Sequence, residues 1–193
     1  MNLGRYTFQI FALLIVCSGL VTAQVLASDA KHFDKEGLTF DYSAGWSIAD
    51  TSNSDAQQLQ LSRPDADLQM TVFVHRGRIS SEKMADAHKA IIDPYIEGVA
   101  KQFVSMGARV ERSSDSTDIG GVRCDGIKLK AIVTGDSATS QIYWGLIGQR
   151  VVVLTFFGPD NDRKKFASTW DTVRNSLKIA ETKPAPKRFQ APK

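Results

Sequence analysis

The chain has 193 residues, 42% of them apolar and 23% charged, and 24 Lys and Arg stand against 21 Asp and Glu for a net charge of +3. That near balance excludes the strongly basic surface of a nucleic-acid-binding module, and two cysteines exclude a disulfide-built scaffold. A chain of this length forms one domain with a core large enough to stand without covalent staples.

The first segment reads as a targeting sequence. Arg5 is the only charge before the apolar run "FQIFALLIVCSGLV", and the small-residue stretch "TAQVLAS" follows it. A cationic start, an apolar core of about 7–15 residues and an A-x-A-like end describe a secretory signal peptide. Residues 1–23 are expected to be that peptide, cleaved after Ala23 or alternatively after Ala27. A membrane-spanning helix needs about 20 apolar residues; this run is shorter and is interrupted at Ser18-Gly19, so no transmembrane anchor is expected after cleavage. Val16 precedes Cys17 and the apolar run continues past it, which argues against a lipidated cysteine. Cleavage removes Arg5 and Cys17, leaving a net charge of +2, down from +3, and a single thiol at Cys124. Export with one thiol points to a bacterial periplasm.

Residues 37–43 and 46–49 read as two short strands forming a hairpin around Ser43-Ala44-Gly45, with Leu38, Phe40 and Tyr42 on one face and Trp46 opening the return. After "ADTSNSDA", Leu59 and Leu61 alternate with polar partners, and Pro64-Asp65 makes a turn. In "LQMTVFVHR", Leu68, Met70, Val72 and Val74 face one way and Gln69, Thr71, Phe73 and His75 the other, the mark of a half-buried strand paired with the preceding one.

The period then changes. Met84, Ala87, Ile91, Tyr95, Val99 and Phe103 recur every three or four residues, which predicts a helix over 81–106 with one face on a core. Ser80 or Ser81 is placed to cap it and Gly107 to end it. Pro94 lies inside the pattern, so a kink or break is expected there, with Asp93 capping a second segment.

Four further strands are expected in "ARVERSSDS", "VRCDGIKLKAIV", "SQIYWGLIG" and "RVVVLTFFG", the last two joined by a tight hairpin at Gly148-Gln149. "VVVLTFF" is apolar on both faces and predicts a central strand covered from both sides. A final helix follows, capped by Asp160 or Asn161, with Phe166, Trp170, Val173 and Leu177 as its buried stripe. Residues 181–193, "ETKPAPKRFQAPK", carry three prolines and a +3 balance from Lys183, Lys187, Arg188 and Lys193 against Glu181, the composition of a disordered basic tail. Such a tail allows weak contact with an anionic membrane surface. Strands joined by short turns, with helices packed on them, give the α+β class: an antiparallel sheet of six to seven strands sandwiched by helices.

Few residues suggest chemistry. His32, His75 and His88 are scattered, and a zinc site needs three or four ligands brought together. No nucleotide-binding glycine pattern or nucleophile elbow occurs, so no cofactor is expected. Asp115-Ser116-Thr117-Asp118 lacks the glycine and closing glutamate of a calcium loop and reads as a solvated loop. Asp125, Asp136, Asp160 and Asp162 read as turn or cap residues. Cys124 is expected to point into the sheet as a small hydrophobe. His75, Arg76 and Arg78 form a small basic edge, the one candidate for binding an anionic ligand.

Three stretches together resemble the PsbP/Mog1-like superfamily. "LTFDYSAGWSI" is similar to its opening pattern of aromatic, x, aromatic, Pro, x, Gly-Trp; "IGGVRCDGIKLKA" resembles its x-Gly-x-x-Ala strand; and "VVVLTFFGPDNDRKKFASTWDTVRNSLKI" resembles its central strand and closing helix. The resemblance spans residues 36–180. It departs from the pattern where Ser43 and Ala44 replace the turn proline and where Cys124 stands for a common alanine, and the lipoprotein signal frequent in bacterial DcrB-type members is absent. The resemblance implies an α/β/α sandwich and a non-catalytic role. Plant PsbP assists a photosystem and Mog1 binds a nuclear GTPase; no photosystem feature occurs here, and a secretory signal conflicts with a nuclear role. The expectation is an exported periplasmic accessory or binding protein with an envelope protein as partner. The alternative is a small periplasmic enzyme with a pocket around Cys124 or His75.

Overall fold

The computed structural model describes residues 30–133 and 136–180. The expected signal peptide with both cleavage sites, and the basic tail, lie outside the described residues.

Turn chemistry sets the topology. Glu36-Gly37, Gly120-Gly121 and Gly148-Gln149 all have positive φ at both residues, the geometry of a two-residue hairpin whose twist matches that of its strands. Glu36-Gly37 joins β1 (Ala30–Lys35) to β2 (Leu38–Ser43). Pro64-Asp65 joins β4 (Ala56–Arg63) to β5 (Ala66–His75), and the Arg63 guanidinium donates to both Asp65 oxygens at 2.8 Å. Gly120-Gly121 joins β6 (Arg109–Ile119) to β7 (Val122–Val133), and Gly148-Gln149 joins β8 (Asp136–Ile147) to β9 (Arg150–Pro159). With the short β3 (Ser47–Asp50), these strands build a seven-stranded antiparallel sheet in the order β3-β4-β5-β9-β8-β7-β6.

β9 is the centre of that sheet, and alternate residues feed two cores. Val152, Leu154 and Phe156 face one core with Leu68, Met70, Val72 and Val74 of β5; Val151 and Val153 face the other. The second core is covered by a helical segment containing α1 (Met84–Ala87) and α2 (Asp93–Ser105), which contribute Ala87, Ile96, Ala100 and Phe103. The first is covered by α3 (Asp160–Lys165) and α4 (Ala167–Ser176), with Trp170 and Val173, and by a second sheet of order β1-β2-β10, where β10 is Lys178–Ile179. Burying both faces of β9 accounts for its unbroken apolar run.

Several expectations change. The strands flanking Gly45 are not a hairpin: β2 pairs with β1 and β10, whereas β3 pairs with β4 in the large sheet. The chain thus crosses between sheets at Ala44-Gly45, and Phe40 and Trp46 both end in the core between them, 0% and 2% exposed. β1 precedes the expected start at residue 36, and its partner is the Phe40 strand. Asp115 to Asp118 are not a loop but the second half of β6, paired with Gly126 to Arg123. Neither Asp160 nor Asn161 caps the last helix by a side-chain bond; that helix divides at Phe166, whose φ of −109° and ψ of 19° break the α geometry. Ser80 makes no side-chain cap either.

Candidate functional site

Pro94 lies in the helical segment that borders one of the open clefts of the surface. Proline has no amide to donate and its ring crowds the preceding turn, yet the helix does not break. Residues His88–Ile92 form one wide π turn, in which the Asp93 amide bonds five residues back to the His88 carbonyl. Asp93 does not cap a new helix; its neighbour Ile92 is already helical and no side-chain cap exists. Widening the turn stacks residues five apart, and the His88 imidazole Nδ1 lies 3.1 Å from the Asp93 carboxylate. Such turns inside helices frequently accompany functional sites.

Facing this turn are the ends of β7 and β8. Asp125 is directly opposite Trp144 in the sheet register, so the two share a face, and Arg123 and Leu146, each two residues along, share it too. The Trp144 ring meets His88 edge-on, 5.2 Å between centroids at 79°. Arg123 is held in place by Ser116, to which it donates a hydrogen bond, and by Asp118 at 3.7 Å. Between turn and sheet lies a cleft of about 490 Å³ lined by Met84, His88, Asp93, Arg123, Asp125 and Trp144, among others. Asp93, Arg123 and Asp125 are exposed, and Trp144 is half-buried.

The opposite face of the same strands carries a second polar group of a different kind. The Tyr143 hydroxyl donates to Asp115 at 2.5 Å, Lys128 approaches Asp115 at 3.0 Å, and the Gln141 amide donates to the Tyr143 oxygen at 3.0 Å. Arg163 donates to Gln141 and spreads over the Phe156 ring at 5.1 Å. Asp160 accepts from Ser137 and Thr139, each at 2.6 Å. Burial alone would raise the Asp115 pKa, but the Tyr143, Lys128 and Ser116 donors together outweigh it and hold the carboxyl below the usual range. Tyr143 is pushed up, first by burial and then by Asp115. These groups pair with one another and tie α3 to the far strands, although the buried Nε of Arg163 has no hydrogen-bond partner among the described residues.

Cys124 lies on that face as well, 2% exposed, with its thiol pushed up to about 11 by burial. A thiol in that state is a packing group rather than a nucleophile. It is on the other side of the sheet from the cleft, although its neighbours Arg123 and Asp125 line the cleft. His75, at the end of β5, bonds locally to Gly77 through Nδ1. Arg76 donates to Glu36 at 2.6 Å and to the Asn53 carbonyl at 2.8 Å, and Arg78 also has an interaction of its own. Within the expected basic edge, His75 thus bonds to the neighbouring Gly77 and Arg76 is directed at partners within the chain. His32 pairs with Asp41 across β1 and β2 at 2.6 Å. Among the described residues no three His, Cys, Asp or Glu groups are gathered to hold a metal, and no helix is long and apolar enough to cross a membrane.

The cleft is not legible in the sequence because Asp125 and Trp144 are 19 positions apart and meet only through strand register. The one local signal was Pro94 within a helical pattern beside His88.

The fold is PsbP-like. The solution structure of cyanobacterial PsbP (CyanoP) from a Synechocystis species is similar over 81% of this chain and 96% of that one, with a TM-score of 0.52 at 15% identity. A crystal structure from Bacteroides thetaiotaomicron is similar over 79% of this chain and 49% of its own, with a TM-score of 0.51 at 17% identity. No family model and no curated protein matches the chain.

Proposed function

We propose that this protein is an exported, non-catalytic accessory or binding protein of the periplasm that works through the cleft beside Trp144. The observation that carries the reading is the contrast between the two faces of the sheet. On one face the titratable groups pair with one another. On the other, the charged groups, Asp93 and Arg123 with partners of their own, are solvent-exposed and border an open cleft with an aromatic wall. The PsbP-like fold is consistent with an accessory role. Residues 1–23 supply the export signal, an envelope protein is the expected partner, and the basic tail adds weak contact with the membrane surface.

Two measurements test this. Fractionation with amino-terminal sequencing should place in the periplasm a chain beginning at Gln24 or Ser28; an intact chain in the cytoplasm refutes export. In cells, Trp144→Ala should remove function while Cys124→Ser and His75→Ala leave it intact. Loss of function in either of the latter, with the fold preserved, would instead favour an enzyme built on that residue.

A further inference from the structure

Trp144 differs from the other two tryptophans of the chain. Trp46 and Trp170 are 2% and 5% exposed and lie in the first core; Trp144 packs on the margin of the second core, is half-buried and lines the cleft. Its strand is hydrogen-bonded on both sides, to β7 and to β9, and His88 braces the ring edge-on. The indole is therefore a fixed aromatic wall, and its position does not have to be created by a ligand.

The polar rim limits the chemistry of that ligand. Lys89 and Arg123 contribute two positive charges and Asp93 and Asp125 two negative ones, with His88 beside them. A site for a phosphate or other anion concentrates donors and positive charge, and a site for a polyamine concentrates carboxylates. Here the formal charges cancel, and the lining combines donors and acceptors with the apolar side chains of Met84, Trp144 and Leu146. A pyranose has the matching chemistry: axial C–H groups give it an apolar face, and each ring hydroxyl both donates and accepts. The exposure of Ala85, Lys89, Asp93 and Asp125 leaves the cleft open to solvent, so a chain of sugar units can lie across it without being enclosed.

We propose that the Trp144 cleft binds a neutral saccharide, one sugar ring stacked on the indole and its hydroxyls bonded to Asp93, Asp125 and Arg123. His88 and Ser116 act as positioning groups: His88 holds Asp93, and Ser116 holds Arg123. The inference rests on the reading of this cleft as the protein's binding site and adds the class of ligand.

The test uses the purified protein labelled with ¹⁵N and titrated with cellobiose, maltose and N,N′-diacetylchitobiose. At least one of the three should move the Trp144 indole N–H resonance saturably and leave the Trp46 and Trp170 resonances in place. Trp144→Ala should abolish binding and Trp144→Phe should retain it more weakly. Asp125→Asn should weaken binding about tenfold, the difference between a hydrogen bond to a charged acceptor and one to a neutral acceptor. Absence of a saturable shift with all three sugars in the wild-type protein overturns the proposal. So does an equal response to glycine betaine, glutamate or inorganic phosphate, which would mark a site for charge. If Trp144→Ala removes function in cells and no sugar binds, the cleft remains the working surface and the saccharide assignment falls. Sugar binding with no cellular effect of Trp144→Ala keeps the assignment and refutes the functional reading.

Discussion

Replacing Trp46 by alanine tests the architecture most directly. The ring is 2% exposed where the chain passes from the small sheet to the large one. It meets Phe166 edge-on, with centroids 6.2 Å apart and planes at 90°, and the Arg63 guanidinium lies 5.8 Å from it. Truncating a buried aromatic to alanine costs about 3–5 kcal/mol in lost transfer energy and cavity. One feature lowers that figure: the indole Nε1 is buried without a hydrogen-bond partner among the described residues. An uncompensated buried donor costs about 1–3 kcal/mol, and it vanishes with the ring, so about 3 kcal/mol is expected for Trp46→Ala. With a urea slope of about 2 kcal/mol per M, the unfolding midpoint followed by far-UV circular dichroism should fall by about 1.5 M. Trp46→Phe keeps the contact with Phe166 and removes the orphan N–H, so it should cost less than about 1.5 kcal/mol. A Trp46→Ala midpoint within about 0.3 M of wild type would show that the crossing at Gly45 is not packed as described.

In the protein lacking residues 1–23, Cys124 should resist a thiol-specific disulfide reagent at pH 8 while folded and react fully in denaturant, because burial both shields the thiol and pushes it up to about 11; rapid reaction of the folded state would contradict this. Asp115 has a depressed folded pKa, so its share of stability is present above the ordinary carboxylate value near ~4 and is lost as pH falls through the folded value. Asp115→Asn should therefore lower stability at pH 7 by about 1–2 kcal/mol and narrow the gap between melting temperatures at pH 7 and pH 3. Equal acid sensitivity in the variant and the wild type would remove Asp115 from the account. Gly120 has a φ of +56°, and an added Cβ would lie 2.2 Å from the Leu177 carbonyl oxygen, so Gly120→Ala should cost at least about 2 kcal/mol, read as a lower urea midpoint. Gly98, on the exposed side of α2 with open space at its Cβ position, should by contrast tolerate alanine with a gain of about 0.5–1 kcal/mol.

What could be read from the sequence was whatever its local pattern determines. β9 announced itself because both its faces are apolar, and the Gly148-Gln149 turn because two strong strands flank it. Leu68 to Val74 and the stripe of Trp170, Val173 and Leu177 were legible for the same reason: one face of each meets a core. The second sheet was hidden because its members are weak alone. β1, "AKHFDK", is mostly exposed with Phe33 as its one partly buried anchor, and β10 has two residues and reaches β2 across most of the chain. A small-residue turn before Trp46 looks the same whether the strands beside it pair with each other or separate into two sheets. The cleft was hidden for a related reason. Asp125 had the look of a turn aspartate, and only the pairing of β7 with β8 sets it beside Trp144.

Pro94 links the fold to the proposed site. A proline within a helix costs about 3 kcal/mol or more when it displaces a backbone bond, and here the wide turn at His88–Ile92 accommodates it without ending the helix. The buried face continues past the proline but shifts by one position from the expected stripe: Ala87, Ile92, Ile96, Ala100 and Phe103 are buried against the sheet, whereas Ile91, Tyr95 and Val99 are only partly buried. The wide turn thus changes which residues face the core while keeping the helix on the sheet. Its visible product is at the surface, where the turn sets Asp93 against His88 and His88 against Trp144. A regular α-helix pairs residues three or four apart and would point these two side chains in different directions. Sites where a sequence breaks a local rule while the surrounding structure stays consistent are where function is expected. By that criterion the Pro94 turn, more than the aromatic stretch at Trp46, is where the proposed binding site belongs.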